Sequence, residues 1–215
     1  MTSGEGLGKV HVITGPGKGK TTAAFGLAMR AAGHGYRVCV IQFLKTGETT
    51  GELIASRRVE GIEVVQFGTG EFVAPGEPTE ADLRAAREAL AAAGERLAKR
   101  SCQLLVLDEV NVAVSLGLVS ASDVLRVLRS RAPGTEVVLT GRDAPAEFVE
   151  YADYVSVIDA VKHPFEAGTE ARKGVEGAMH HFPDRVAEVL DLAVPVRGPV
   201  QVGQAGDDVP GRLGL

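Results

Sequence analysis

Apolar residues along this chain come in short runs separated by turn residues, and the runs alternate with stretches of helical period. Val10–Ile13, Arg37–Phe43, Ile62–Phe67, Leu104–Leu107, Glu136–Thr140 and Tyr154–Asp159 each read as a strand. Several are rich in Val, Ile and Leu with little polar alternation, the pattern of strands covered on both faces. Between them, Thr21–Ala32 is rich in Ala, Leu and Met, and Leu83, Ala86, Leu90, Ala93 and Leu97 fall on one face of a predicted helix Leu83–Leu97. Thr79 and Asp82 have capping-box spacing at its start. Ser120 caps a predicted helix Ala121–Arg131 that Pro133-Gly134 ends, and Asp143, followed by Pro145, opens another short one. Thr46–Gly51 and Gly68–Pro78 read as loops.

Strand and helix in alternation imply parallel strands joined by crossover helices, hence an α/β, doubly wound, mostly parallel sheet. At 215 residues the chain fits one such domain, expected over residues 1–194 and including a last helix at Phe182–Leu192. The tail from Pro195 to Leu215, rich in Pro and Gly, reads as disordered. Ligands of such sheets sit outside the carboxyl ends of the strands, and every chemical motif below falls at such an end.

Composition narrows the function. A net charge of −5 without any Lys/Arg run argues against nucleic acid and anionic membranes as partners. No window is long and apolar enough to span a bilayer, and residues 1–9 contain no apolar signal segment, so a soluble cytoplasmic protein is expected. Cys39 and Cys102, each beside an apolar run, read as small buried hydrophobes in a reducing compartment. His180-His181 is a weak lure for metal, because adjacent histidines point apart on a helix.

The strongest chemical signal is Thr14-Gly15-Pro16-Gly17-Lys18-Gly19-Lys20-Thr21-Thr22, with a strand before it and a helix after. A phosphate loop asks for Gly, four residues, then Gly-Lys-Ser/Thr; here Thr14 stands where the first Gly is usual. Gly15, Gly17 and Gly19 would turn the backbone tightly and aim N–H groups at an anion, and the following helix adds its positive end. Lys20 and Lys18 supply charge, and the Thr21 hydroxyl can join a magnesium shell. The motif points to triphosphate binding, on a fold of the phosphate-loop NTPase (RecA-like) type, and says nothing about the reaction.

Leu104–Leu107 runs into Asp108-Glu109, the place where phosphate-loop enzymes carry an acid for the metal ion or its waters. Asn111 could add a polar contact. Glu136–Thr140 ends in Gly141-Arg142-Asp143, where Arg142 could reach phosphate oxygens or pair with Asp143.

Taken together, these residues resemble the phosphate-loop cob(I)alamin adenosyltransferases, also called corrinoid adenosyltransferases. The resemblance covers about residues 8–176: the loop Thr14–Thr22 with Ala23-Ala24-Phe25-Gly26, Arg30, Gly33-His34-Gly35, Val40–Lys45, and Gly70-Glu71-Phe72-Val73. It continues through Leu107–Asn111, Leu139–Arg142, Lys162-His163-Pro164-Phe165-Glu166-Ala167-Gly168 and Ala171–Glu176. Thr14 is that family's own variant of the loop. Three features differ: no Trp occurs, although some members carry one in the Phe72 loop; the chain continues past Gly177; and the N-terminal arm is short.

The resemblance implies transfer of the 5′-deoxyadenosyl group of ATP to a Co(I) corrinoid, with release of triphosphate. Cobalt is then the nucleophile and no protein base is needed. Gly15–Thr22 would hold the triphosphate; Thr21, Asp108 and Glu109 would place Mg2+ (or Mn2+); Glu109 and Arg142 would position the nucleotide. Arg30, Gln42, Lys45, Asn111, Lys162 and His163 would line the nucleotide or the corrinoid edge, and Phe72 would favour a corrinoid stripped of its lower axial ligand. An electron-donating reductase and a homodimer are implied partners. Two other readings stay open: a phosphate-loop NTPase cleaving the terminal phosphate, and a non-catalytic carrier or regulator that binds ATP and corrinoid.

Overall fold

Six strands and six helices follow one another, alternating except for two successive helices between β4 and β5, in a computed structural model that describes residues 6–47, 50–164, 168 and 172–175. The strands are β1 (Val10–Thr14), β2 (Val38–Phe43), β3 (Ile62–Phe67), β4 (Leu104–Asp108), β5 (Glu136–Thr140) and β6 (Tyr154–Val157). The helices are α1 (Lys20–Gly33), α2 (Gly51–Ser56), α3 (Glu80–Ala98), α4 (Val110–Ser115), α5 (Ala121–Arg129) and α6 (Ala146–Tyr151). The strands form one sheet in the order β3-β2-β4-β5-β1-β6, and every pairing is parallel. The doubly wound α/β reading holds, with the phosphate-loop strand β1 and the acidic strand β4 separated by β5 alone.

Alternation along each strand sorts its side chains between two cores. Val38, Val40, Leu104, Val106 and Val138 pack under Ala24, Phe25 and Ala28 of α1. The intervening residues Cys39, Ile41, Phe43, Leu105, Leu107, Val137 and Leu139 join α3, α5 and Phe148 of α6 on the other face. All of β2 and β4 is buried, and each Val, Ile or Leu so enclosed contributes roughly 1.5–3 kcal/mol. Both cysteines are buried and free.

Helix boundaries follow local chemistry. Thr79 caps α3 in a reciprocal box with Asp82, as their spacing predicts, and Ser120 accepts from Asp123 N–H to cap α5. Two local readings change, and one helix is new. Asp143 does not cap α6, which begins at Ala146 after Pro145; Asp143 sits in the left-handed region at φ 53°. Gly51, read as the end of a loop, is the first residue of α2. The segment Val110–Ser115 is a helix despite its β-branched residues, because Val110, Asn111 and Ala113 are buried against the sheet. The predicted helix Phe182–Leu192, the tail from Pro195, His180-His181 and the 194/195 domain boundary lie outside the described residues.

Candidate active site

Thr14 ends β1, and its hydroxyl oxygen accepts from Ala144 N–H at 3.2 Å, tying the phosphate loop to the turn after β5. That contact gives the irregular Thr a job no glycine could do. The loop is braced on its other flank by the chain leaving β6: Ile158 N–H donates to Thr14 O and Gly17 N–H to Ile158 O, both at 2.8 Å. A Cβ on Gly15 would stand 2.5 Å from Ile158 O, and one on Gly17 2.5 Å from Asp159 O. The expectation that Gly17 turns its N–H toward an anion is therefore corrected. That donor is already used, and the glycine is needed because another backbone lies against it.

Free donors remain at the start of α1, whose N-cap, Gly19 at φ 122°, supplies no side-chain cap. First-turn N–H groups and the helix dipole there suit an anion. Lys20 is buried, and its Nζ donates to Gly15 O at 2.6 Å and Gly17 O at 2.7 Å. Burial, then the nearby Arg142 charge, lowers its pKa. Pro16, Lys18 and Thr22 are exposed along the loop.

Asp108 lies in the centre of the site, fully buried at the end of β4. Its Oδ1 accepts from the hydroxyls of Thr21 at 2.9 Å and Thr140 at 2.7 Å, and its Oδ2 from Gln42 Nε2 at 2.9 Å and Lys45 Nζ at 2.8 Å. Burial alone would raise its pKa, but the Lys45 charge and these hydrogen bonds hold it below the usual carboxylate range. Gln66 Nε2 donates to Gln42 Oε1 at 2.8 Å, so Gln66, Gln42 and Asp108, which are Cα partners in register, form one polar row across three strands. Gln42 and Lys45, which the resemblance places along the nucleotide or the corrinoid edge, are both bonded to Asp108. Gln66 and Thr140 were not singled out from the sequence. The available signal was that both continue the α1-facing alternation of their strands, which turns polar at the carboxyl end.

Glu109 follows in the left-handed region at φ 65°, its N–H donating to Thr140 Oγ1 at 3.0 Å. Its carboxylate accepts no hydrogen bond among the described residues, and burial, then the Asp108 charge, raises its pKa. Asn111 is buried and donates to Gly141 O at 3.0 Å, while its Oδ1 has no partner among the described residues. A Cβ on Gly141 would stand 3.0 Å from Asn111 Cβ, so this contact fixes the turn that presents Arg142. Arg142 is exposed, with its charge acting on both Lys20 and Glu109.

The remaining predicted residues are more dispersed. Phe72 is 53% exposed on the loop after β3. Lys162 is exposed and His163 half-buried, a few residues beyond the Ile158–Asp159 brace. Arg30 is exposed ten residues into α1 from Lys20, about 15 Å along the helix, and does not join the cluster. Phe165, Glu166, Ala167 and Glu176 lie outside the described residues. No cluster of three or more His, Cys, Asp or Glu side chains able to hold a metal occurs among the described residues.

A glycine-rich turn from β1 into α1, with an acidic pair two strands away in the same parallel sheet, defines a phosphate-loop nucleotide-binding protein. Within that class, the chain belongs to the ATP:corrinoid adenosyltransferase family BtuR/CobO/CobP, whose profile matches residues 7–177. It is 39% identical over 170 residues to a corrinoid adenosyltransferase of Pseudomonas aeruginosa, covering 79% of this chain and 83% of that one. Its identity to the Escherichia coli K12 corrinoid adenosyltransferase is 38% over 169 residues, 79% of this chain and 85% of that protein. For the corrinoid adenosyltransferase CobA of Salmonella typhimurium the figures are 37% over 172 residues, 80% and 87%.

Proposed function

We propose that this chain is an ATP:corrinoid adenosyltransferase that holds ATP on the loop Gly15–Thr22 and presents its 5′ carbon to a Co(I) corrinoid. The carrying observation is that Thr21, at the start of α1, donates to Asp108 at the end of β4 at 2.9 Å, joining the phosphate loop to the acidic pair in a chain of this family. Cobalt supplies the electron pair: a Co–C bond forms, the C5′–O bond breaks, and triphosphate leaves with the oxygen's electrons. An anionic leaving group needs no protonation, so the protein's share is positioning and cationic stabilisation. Lys20 would exchange the Gly15 and Gly17 carbonyls for phosphate oxygens, with Lys18 and Arg142 on the outer side.

The donor set fits a divalent cation that arrives with the nucleotide. Glu109 offers a half-buried carboxylate without a hydrogen-bond donor among the described residues, while Asp108 already has four. Mg2+ (or Mn2+) would rest on Glu109, Thr21 and phosphate oxygens, with Asp108 holding Thr21 from behind. Its chemistry there is charge neutralisation on the triphosphate. Phe72, Lys162 and His163 are assigned to the corrinoid side, with Arg30 at its rim. A reductase that delivers the electron to Co(II), and a homodimer, complete the reading. Among the described residues no helix is long and apolar enough to cross a membrane, and the free, buried cysteines support a cytoplasmic setting.

The test is spectroscopic. ATP added to protein and corrinoid under a strong reductant should produce the visible spectrum of a Co–C bond, and Lys20→Ala should abolish it. A carrier or regulator would bind both ligands and leave the reduced spectrum unchanged.

A further inference from the structure

The loop over residues 68–79 joins β3 to α3 and carries Phe72 at its exposed tip. It has little core of its own, yet both of its ends meet one buried carboxylate. Asp82, 6% exposed in the first turn of α3, accepts from the Thr69 hydroxyl at 2.7 Å through Oδ1. Its Oδ2 accepts from Thr79 N–H at 3.0 Å and from the Thr79 hydroxyl at 2.6 Å. The Thr79 hydrogen bonds first, against a smaller opposing effect of burial, and then that of Thr69 keep Asp82 ionised to unusually low pH. Helix capping requires only the Thr79 half of this arrangement. The bond to Thr69, 13 residues earlier, adds nothing to the helix and closes the loop.

The same loop leans on the turn that carries Lys45. A Cβ on Gly68 would stand 2.7 Å from both Leu44 C and Lys45 N, and one on Gly70 2.9 Å from the Thr46 methyl. Lys45 in turn holds Asp108. The base of the Phe72 loop is thus in backbone contact with the nucleotide half of the site.

We infer that Asp82 is a positioning residue for the corrinoid: by holding Thr69 and Thr79 together it closes the Phe72 loop against the Lys45 turn and sets where Phe72 stands relative to bound ATP. The inference rests on the reading that this loop faces the corrinoid. Thr69→Val removes the hydroxyl at an exposed position, keeps the shape and leaves the α3 cap intact, so the variant folds. Hydrogen bonds to a carboxylate of this kind correspond to about a tenfold effect. Steady-state adenosylation should show KM for the corrinoid raised about tenfold and KM for ATP within about twofold of wild type. Thr69→Ser should restore both values, and amide exchange should quicken in residues 70–76 of Thr69→Val alone. An unchanged corrinoid KM, or corrinoid and ATP KM rising together, overturns the positioning role. Should the wild-type protein form no Co–C bond, the functional reading itself fails and this inference with it.

Discussion

The two halves of the sheet's carboxyl edge are built on different terms. Around β1, β4 and β5, side chains project from strand ends and are buried, and Asp108 has every oxygen engaged. Backbone lies on backbone at Gly15 and Gly17 without room for a methyl group. Beyond β3 there is instead a loop with an exposed aromatic tip, held at its base by Asp82. Rigid strand ends suit a small, highly charged ligand whose reacting carbon must be placed within tenths of an ångström. A loop with two fixed ends suits a large flat partner that must enter, be covered and leave.

The contrast can be broken most severely at Asp108. Asp108→Ala strands Lys45 and Gln42 in a buried site, and urea unfolding should show a loss of about 3–5 kcal/mol. A loss under about 1 kcal/mol would mean that the polar row is not a structural unit.

Next comes Gly17→Ala, whose methyl group would press into Asp159 O. Overpacking of this kind costs about 1–3 kcal/mol, and because the brace shapes the anion site, calorimetry should show ATP affinity falling by at least about tenfold. The opposite half should be untouched, with exchange rates in residues 70–76 unchanged.

Glu109 sharpens the comparison through pH. Its pKa is raised in the fold, so the folded state binds that proton more tightly than the unfolded chain does, and stability is lost as pH rises through the raised value. Glu109→Gln should therefore melt higher than wild type at pH 8. The gap should close as pH falls below the ordinary Glu value of 4.5, while adenosylation is lost throughout. Equal melting temperatures at pH 8 would show that the carboxylate carries no such strain. Asp108 acts in the opposite sense: its lowered pKa gives stability that is present above the ordinary Asp value of 3.8 and disappears as pH falls through the lowered one.

The smallest effect is expected from Thr79→Ser, which keeps a capping hydroxyl and should cost well under the roughly 1 kcal/mol of a lost cap. Kinetic constants for both substrates should stay at wild-type values.

The sequence displayed the fold well where local chemistry decides it. Apolar runs with little polar alternation announced β2 and β4, and Thr79–Asp82 and Ser120 announced their helix starts. The phosphate loop and acidic pair were legible because glycine, lysine and carboxylate at those spacings leave few other uses. What escaped depends on register between distant strands. Nothing in the neighbourhood of Gln42 or Gln66 says that they form one polar row ending on Asp108; that follows from Gln42 pairing with both Gln66 and Asp108. The reason for Gly17 lies about 140 residues away, at Ile158–Asp159. The helix α4 escaped because burial overrode the β-branched character of Val110, Val112 and Val114.

Analysis of what becomes of ATP tests the central claim most directly. With a chemically reduced corrinoid, adenosyl transfer predicts triphosphate formed one-for-one with adenosylcorrinoid, with no ADP. ADP and inorganic phosphate, formed without a Co–C bond, would contradict the account and make the same loop and acidic pair those of an NTPase.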